Sequence, residues 1–226
     1  MRLIKKGKTK DVYELPDGNY LLKLKDDATG KDGVFDPGEN QVGLTIPGLG
    51  KKSLELTAYF YEKLNSMGFN THFVSCDQNG ASMTVKPAKM FGRGLEVICR
   101  LKAAGSFIRR YGDYVGEGEK LDYLVEFTLK DDAKNDPPAS KETLVTLGVL
   151  TESEYEKLKG LAKEITVIIE RELAAKGLDL YDIKYEFGKI NGEIALADEL
   201  SGGSVRIFHN GKIVPPMEIN DYLFNK

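Results

Sequence analysis

The stretch Leu180–Leu200, "LYDIKYEFGKINGEIALADEL", decides how this chain folds. Asp182, Lys184 and Glu186 fall at every second position, with Ile183, Tyr185 and Phe187 following each in turn. Alternate side chains of a strand share a face. One face is therefore charged and the other apolar. Asn191-Gly192 signals a hairpin turn, and the return strand "EIALAD" is apolar up to Asp198. A carboxylate ending an apolar strand opposite another carboxylate is costly unless something positive lies between them. Two carboxylates together with phosphate oxygens are a donor set that suits Mg²⁺. Glu186 and Asp198 are thus the candidate metal ligands, and a sheet with one wetted face is the competing reading. Register separates the two. A two-residue turn sets Asp198 opposite Tyr185, on the wrong face for Glu186. A three-residue loop, or a bulge near Gly188 or Gly192, sets Asp198 across from Glu186. The metal reading requires that shift.

Before this hairpin runs a helix, Thr151 to Gly177. Thr151 and Glu154 form a capping box, and Leu158, Leu161, Ile165, Ile168 and Ile169 make its apolar stripe. The apolar face of the hairpin should pack on it. Toward the N-terminus, "DVYEL" and "NYLLKLK" are strands split by the turn residues "PDGN". Gly30 to Gly50 reads as a long loop, and a helix is expected from Ser53 to Met67, with Leu56, Phe60, Leu64 and Met67 on one face. "HFVSC", "SMTVKP", "LEVICRLKA" and "YLVEFTLK" read as further strands, and "AGSFIRRYG" as a short helix closed by Gly112. The expected class is α+β, with two lobes of mostly antiparallel sheet. Residues 1–88 form the sheet-rich N-terminal lobe and residues 89–226 the C-terminal lobe.

The 226 residues are 41% hydrophobic and 30% charged, which excludes a disordered chain. A net charge of −3 gives no electrostatic basis for nucleic-acid binding. No apolar run reaches the ~18 residues of a membrane span, and the N-terminal residues lack the apolar core of a signal peptide. Cys76 and Cys99 make neither a disulfide framework nor a metal-ligand spacing. His72 and His209 have no partner spacing for a metal site or a triad. These features read as a cytoplasmic protein.

Three other segments carry chemistry. "KKGKTK", Lys5–Lys10, is a basic cluster beside a glycine that could hold phosphates, although it lacks the P-loop pattern. In "EVICRLKAAGSFIRRYG", Glu96 and Arg100 share a strand face and Ser106 opens a helix, a plausible anion site. Arg109 and Arg110 read as ordinary surface residues. "LKDDAKNDPP" packs Lys130, Asp131, Asp132, Lys134 and Asp136 into one loop, whose prolines would aim a side chain.

Taken in order, "GKTKDVYE", "EVICRLKAAGSFIRRYG", "EFTLKDDAKNDP", "DIKYEFG" and "LADELSGGSVR" resemble the phosphoribosylaminoimidazole-succinocarboxamide synthase (SAICAR synthetase) family over nearly the whole chain. The resemblance implies an ATP-dependent ligase with two α+β lobes and the nucleotide between them. It would join L-aspartate to the carboxylate of carboxyaminoimidazole ribonucleotide (CAIR), giving SAICAR, ADP and phosphate. It further implies that Lys8 and Lys10, with Thr9 and Val12, meet ATP, and that Lys86, Ala88 and Met90 lie along the adenine hinge. Glu186 and Asp198 would hold Mg²⁺. Arg100, Ser106 and Arg206 would bind the nucleotide substrate, chiefly its phosphate. Glu96, Asp182 and Lys184 would line the rest of that pocket, with Lys130 and Asp136 near the aspartate. Lys130, Asp136 and Lys184 are the catalytic candidates. ATP, CAIR and L-aspartate are the implied partners, and a homodimer is left open. Three stretches depart from the family pattern: "GLGKKSL", "SGG" where Ser-Pro-Asp is usual, and the tail from Ile207. A divergent ligase with another carboxylate and amine, or a non-catalytic nucleotide-binding regulator, are the alternatives.

Overall fold

The computed structural model describes residues 1–31, 33–36 and 41–224. The chain divides into two compact units. The first holds Met1–Lys89, Gly188–Ser204 and Pro215–Lys226, and the second Met90–Phe187 and Val205–Val214. The sequence reading draws one boundary and gives everything from residue 89 onward to the C-terminal lobe. The difference arises because two later segments cluster with the N-terminal residues, and interleaving of this kind leaves no mark on linear patterning.

In the first unit, β1 (Arg2–Lys6) joins the two expected strands, β2 (Lys10–Glu14) and β3 (Tyr20–Leu24), in a meander. The chain continues through β4 (Asp27–Lys31), β5 (Val34–Phe35), β6 (Val42–Thr45), α1 (Leu49–Ser66), β7 (Phe73–Asp77) and β8 (Ser82–Val85). The antiparallel sheet runs β1-β2-β3-β8-β7. Leu54, Leu56, Phe60, Tyr61 and Leu64 of α1 are buried, as are Leu22, Leu24, Met83 and Val85 of the sheet. Met67, expected on the same face, lies past the end of the helix and is 54% exposed. The helix starts earlier than its apolar periodicity suggests, because Asp26 caps it through backbone N–H groups of Gly48 and Gly50, both at 2.9 Å.

The stretch read as a long loop instead contains the small sheet β5-β4-β6. Gly43 serves close backbone approach: a Cβ there would stand 2.3 Å from the Gly30 carbonyl carbon. Residues 32 and 37–40 of that stretch lie outside the described residues.

Next come β9 (Lys89–Met90), β10 (Leu95–Lys102), α2 (Ser106–Tyr111), β11 (Lys120–Leu129), α3 (Lys141–Thr146), α4 (Glu152–Ala174), β12 (Asp179–Ile190), β13 (Glu193–Ala197), β14 (Val205–His209), β15 (Lys212–Ile213) and α5 (Ile219–Phe224). The second sheet runs β11-β10-β12-β14-β15, and β9 and β13 also pair with β12. Thr151 and Glu154 close the capping box that starts α4. Leu158, Ile165 and Ile169 of α4 are buried, with Val97, Cys99, Phe127, Ile183, Tyr185 and Phe187. The Tyr185 hydroxyl reaches Thr166 Oγ1 of α4 at 2.7 Å. The apolar face of β12 therefore lies against the long helix, and the polar face is left for other work. Among the described residues no helix is long and apolar enough to cross a membrane.

Candidate active site

In the second unit the polar side chains of β12 meet those of its neighbours row by row. Glu186 stands opposite Glu96, Lys184 opposite Ile98 and Asp182 opposite Arg100. On the far side of β10, Thr128 faces Glu96 and Glu126 faces Ile98. Asp182 also pairs with Arg206 of β14. Two glutamates directly across from each other repel. Lysines offset this: Lys184 donates to Glu96 Oε1 at 2.8 Å, and Lys130 is ion-paired to Glu186. Thr128 adds a bond to Glu96 Oε2 at 2.9 Å.

Burial alone would raise the Glu96 carboxyl. The Lys184 charge, and the bonds from Lys184 and Thr128, outweigh burial and hold it below the ordinary glutamate value. For Lys184 burial opposes the charged form, and the nearby Glu96 carboxylate outweighs it and raises the ammonium. Both groups are thus ionised at neutral pH.

At the other end of these strands is a cluster of arginines. Arg100 is only 1% exposed. Its Nη1 donates to Asp182 Oδ2 at 3.0 Å, its Nη2 to Ser106 Oγ at 3.1 Å, and its Nε to Glu126. Arg206 Nη1 donates to both Asp182 oxygens, at 3.1 and 3.0 Å. Gly105 makes room for Arg206: a Cβ there would lie 2.4 Å from the guanidinium carbon.

The loop after β11 holds Asp136 with a left-handed backbone, φ 46°. The Asp131 amide donates to Asp136 Oδ1 at 2.7 Å. Burial, and next the Glu96 charge, raise the Asp136 carboxyl above its usual value. A carboxylate biased toward holding a proton suits proton transfer.

In the first unit the "KKGKTK" cluster forms the turn between β1 and β2. The Gly7 amide donates to the Lys10 carbonyl at 3.0 Å, and a Cβ on Gly7 would stand 2.4 Å from that oxygen. Lys8 and Thr9 occupy this turn, and Lys10 and Val12 lie on β2. Lys10 Nζ is 2.6 Å from Asp198 Oδ1 and also pairs with Glu199. The Asp198 carbonyl accepts from the Tyr61 hydroxyl at 2.7 Å and from His72 Nε2 at 2.9 Å. Burial pulls the His72 imidazole down to about 4, so it is neutral at pH 7 and donates through Nε2–H. Lys86 and Ala88 follow β8, and Met90 ends β9.

The three-residue loop, one of the two routes to the shifted register, is absent. The Asn191–Gly192 loop contains two residues, with φ 52° and 87°, and no third residue enters it. Both residues take the left-handed conformations that match strand twist in a two-residue turn. Asp198 leaves the strand alternation by another route. It follows the last residue of β13 and has φ 67°, so strand parity no longer sets its side-chain direction. Glu186 lies in the second unit and Asp198 in the first. Among the described residues no group of three or more His, Cys, Asp or Glu side chains gathers as a metal cluster. Mg²⁺ nevertheless fits each carboxylate by chemistry: both are hard oxygen donors, and this ion takes only one or two carboxylates and completes its shell with water and phosphate.

The structure thus gathers Glu96, Arg100, Ser106, Lys130, Asp136, Asp182, Lys184, Glu186 and Arg206 in one unit, and Lys8, Thr9, Lys10, Val12, Lys86, Ala88 and Asp198 in the other. Sequence reasoning missed Glu126, Thr128, Glu199 and Arg110. Glu126 and Thr128 had a signal, since they alternate in "YLVEFTLK" as Glu96 and Arg100 do in their own strand. Arg110 is not an ordinary surface residue: its Nη2 donates to Glu126 Oε1 at 2.6 Å.

A mixed α+β chain with mostly antiparallel sheets and an ordered, buried wall of Lys, Arg, Asp and Glu has the makeup of an enzyme. The family model for SAICAR synthetase matches residues 3–220. The phosphoribosylaminoimidazole-succinocarboxamide synthase of Clostridium tetani is 53% identical over 221 residues, covering 97% of each chain. That of Thermotoga maritima is 40% identical, covering 92% of this chain and 85% of its own. A solved SAICAR synthetase in complex with ADP superposes with a TM-score of 0.86 at 28% identity, covering 98% of this chain and 97% of that one. The chain belongs to the SAICAR synthetase family.

Proposed function

We propose that the protein is an ATP-dependent carbon–nitrogen ligase that joins L-aspartate to the carboxylate of CAIR to give SAICAR, ADP and phosphate in purine biosynthesis. The observation that carries this reading is the charged wall of β10, β12 and β14, in a chain that the family model matches over residues 3–220.

A carboxylate does not condense with an amine at neutral pH until it gains a leaving group. A CAIR carboxylate oxygen attacks the γ-phosphorus of ATP. A new O–P bond forms, the bond to ADP breaks, and an acyl phosphate results. The aspartate amine then attacks the acyl carbon. The C–N bond forms, the C–O bond breaks, and phosphate leaves with that oxygen. Catalysis of this kind is positioning and charge stabilisation. Lys8 and Lys10 supply positive charge for ATP phosphates, with Thr9 and Val12 beside them and Lys86, Ala88 and Met90 along the adenine. Arg100, Ser106 and Arg206 take the substrate phosphate. Glu96, Asp182 and Lys184 hold the remainder of that nucleotide, and Lys184 stays cationic beside the reacting carboxylate. Lys130 attracts the aspartate carboxylates, and Asp136 takes the proton released from the amine. Glu186 and Asp198 are each a carboxylate donor suited to Mg²⁺, which would neutralise phosphate charge when bound.

The test is ADP release with CAIR, aspartate and Mg-ATP, each omitted in turn. The reading predicts sustained, multiple-turnover release only with all present. Equal release without aspartate would overturn the ligase assignment.

A further inference from the structure

Arg110 and Glu126 have no part in the reading above, yet they complete the arginine cluster. Asp182 is shared by Arg100 and Arg206. Glu126 is shared by Arg100 and Arg110. The order is Arg206, Asp182, Arg100, Glu126, Arg110: three guanidinium groups joined by two carboxylates. We propose that Glu126 and Arg110 are positioning residues for the phosphate end of the nucleotide substrate, acting through Arg100. The inference rests on the assignment of Arg100, Ser106 and Arg206 to that phosphate.

Geometry and charge both support it. A guanidinium is planar, and bonds on its Nε, Nη1 and Nη2 edges fix its plane and its rotation. A fixed plane is what paired N–H donation to an anion needs. Glu126 supplies one of those three restraints. Its cost is charge, since Arg100 between two carboxylates alone would leave a net negative patch that repels phosphate. Arg206 on one side and Arg110 on the other return the cluster to net positive. Position explains why Arg110, and not Arg109, does this: it is four residues after Ser106 on α2, on the same face of the helix. Arg110 Nε is buried without a hydrogen-bond partner, so the guanidinium is held by the Glu126 contact and by its 5.2 Å approach to the Tyr111 ring.

The experiment is steady-state kinetics of Arg110→Gln, Glu126→Gln and Arg206→Gln with CAIR and with its riboside, which lacks the 5′-phosphate. Loss of a charge-assisted contact predicts a KM for CAIR raised about tenfold or more in Arg110→Gln and Glu126→Gln, with kcat little changed. With the riboside both variants should match the unsubstituted chain. Arg110→Lys keeps the charge without the fork and should fall between; it carries the comparison if Arg110→Gln does not fold. If Arg206→Gln raises the KM for CAIR but the Arg110 and Glu126 variants do not, the inference fails and the phosphate assignment stands. If Arg206→Gln also leaves KM unchanged, the phosphate assignment itself fails. Equal impairment with CAIR and riboside would show a structural role and overturn the inference.

Discussion

Gly105 fixes where Arg206 can lie. Its φ is 55°, a conformation glycine adopts readily, and the space a Cβ would take is filled by the Arg206 guanidinium. Gly105→Ala adds one methyl group, and the guanidinium must move. Displacing a positioning group by about 1 Å can cost on the order of a hundredfold. We expect Gly105→Ala to raise the KM for the nucleotide substrate strongly while the ATP dependence stays close to that of the unsubstituted chain. Initial-rate kinetics with each substrate varied separately would show it; an unchanged KM for CAIR would mean that Arg206 is not a phosphate ligand. "AAGS" does not reveal this contact, because the residue that needs the room is distant in sequence.

Among the elements, β12 was the most legible. Period-two alternation placed Asp182, Lys184 and Glu186 on one face and Tyr185 against α4, because a strand buried on one side leaves no freedom of register there. The capping box of α4 was equally readable, since it is local chemistry. The small sheet β5-β4-β6 was not: glycines that admit a neighbouring backbone look the same in sequence as glycines that bend a loop. Asp198 was half legible. Its position after the apolar strand is clear, but its left-handed backbone is not, nor are Tyr61 and His72, which bond its carbonyl from elsewhere in the chain. The polar face of β12 also has a pH signature. The Glu96 carboxyl is held below 4.5 in the fold, so its contribution to stability is present above that value and is lost as pH falls through the lower folded value. The Lys184 ammonium is raised above 10.5, so its contribution is present below that value and is lost only as pH rises through the higher folded one. We expect Glu96→Gln to flatten the acid limb of the stability curve, measured by denaturant unfolding from pH 3 to pH 7, relative to the unsubstituted chain. An unaltered acid limb would mean that the fold does not hold the Glu96 carboxyl below its usual value.

For the molecule as a whole, chain order and spatial grouping diverge. Residues 188–204 return Asp198 to the unit that carries Lys10, whereas Glu186 stays with Lys130. Each carboxylate keeps a lysine beside it, and their hard oxygen atoms suit Mg²⁺. We expect Glu186→Gln and Asp198→Asn each to reduce turnover by at least about a hundredfold, and chelation of divalent cations to abolish it. Normal turnover of both variants at low Mg²⁺ would rule out the assignment. The proposed chemistry places phosphorylation on the substrate carboxylate itself. That claim is tested most directly by CAIR labelled with ¹⁸O in its carboxylate, supplied with aspartate and Mg-ATP, followed by mass spectrometry of the phosphate released. An acyl phosphate predicts one ¹⁸O atom transferred to phosphate for each fully labelled carboxylate that reacts. Unlabelled phosphate, formed while SAICAR accumulates, would contradict it.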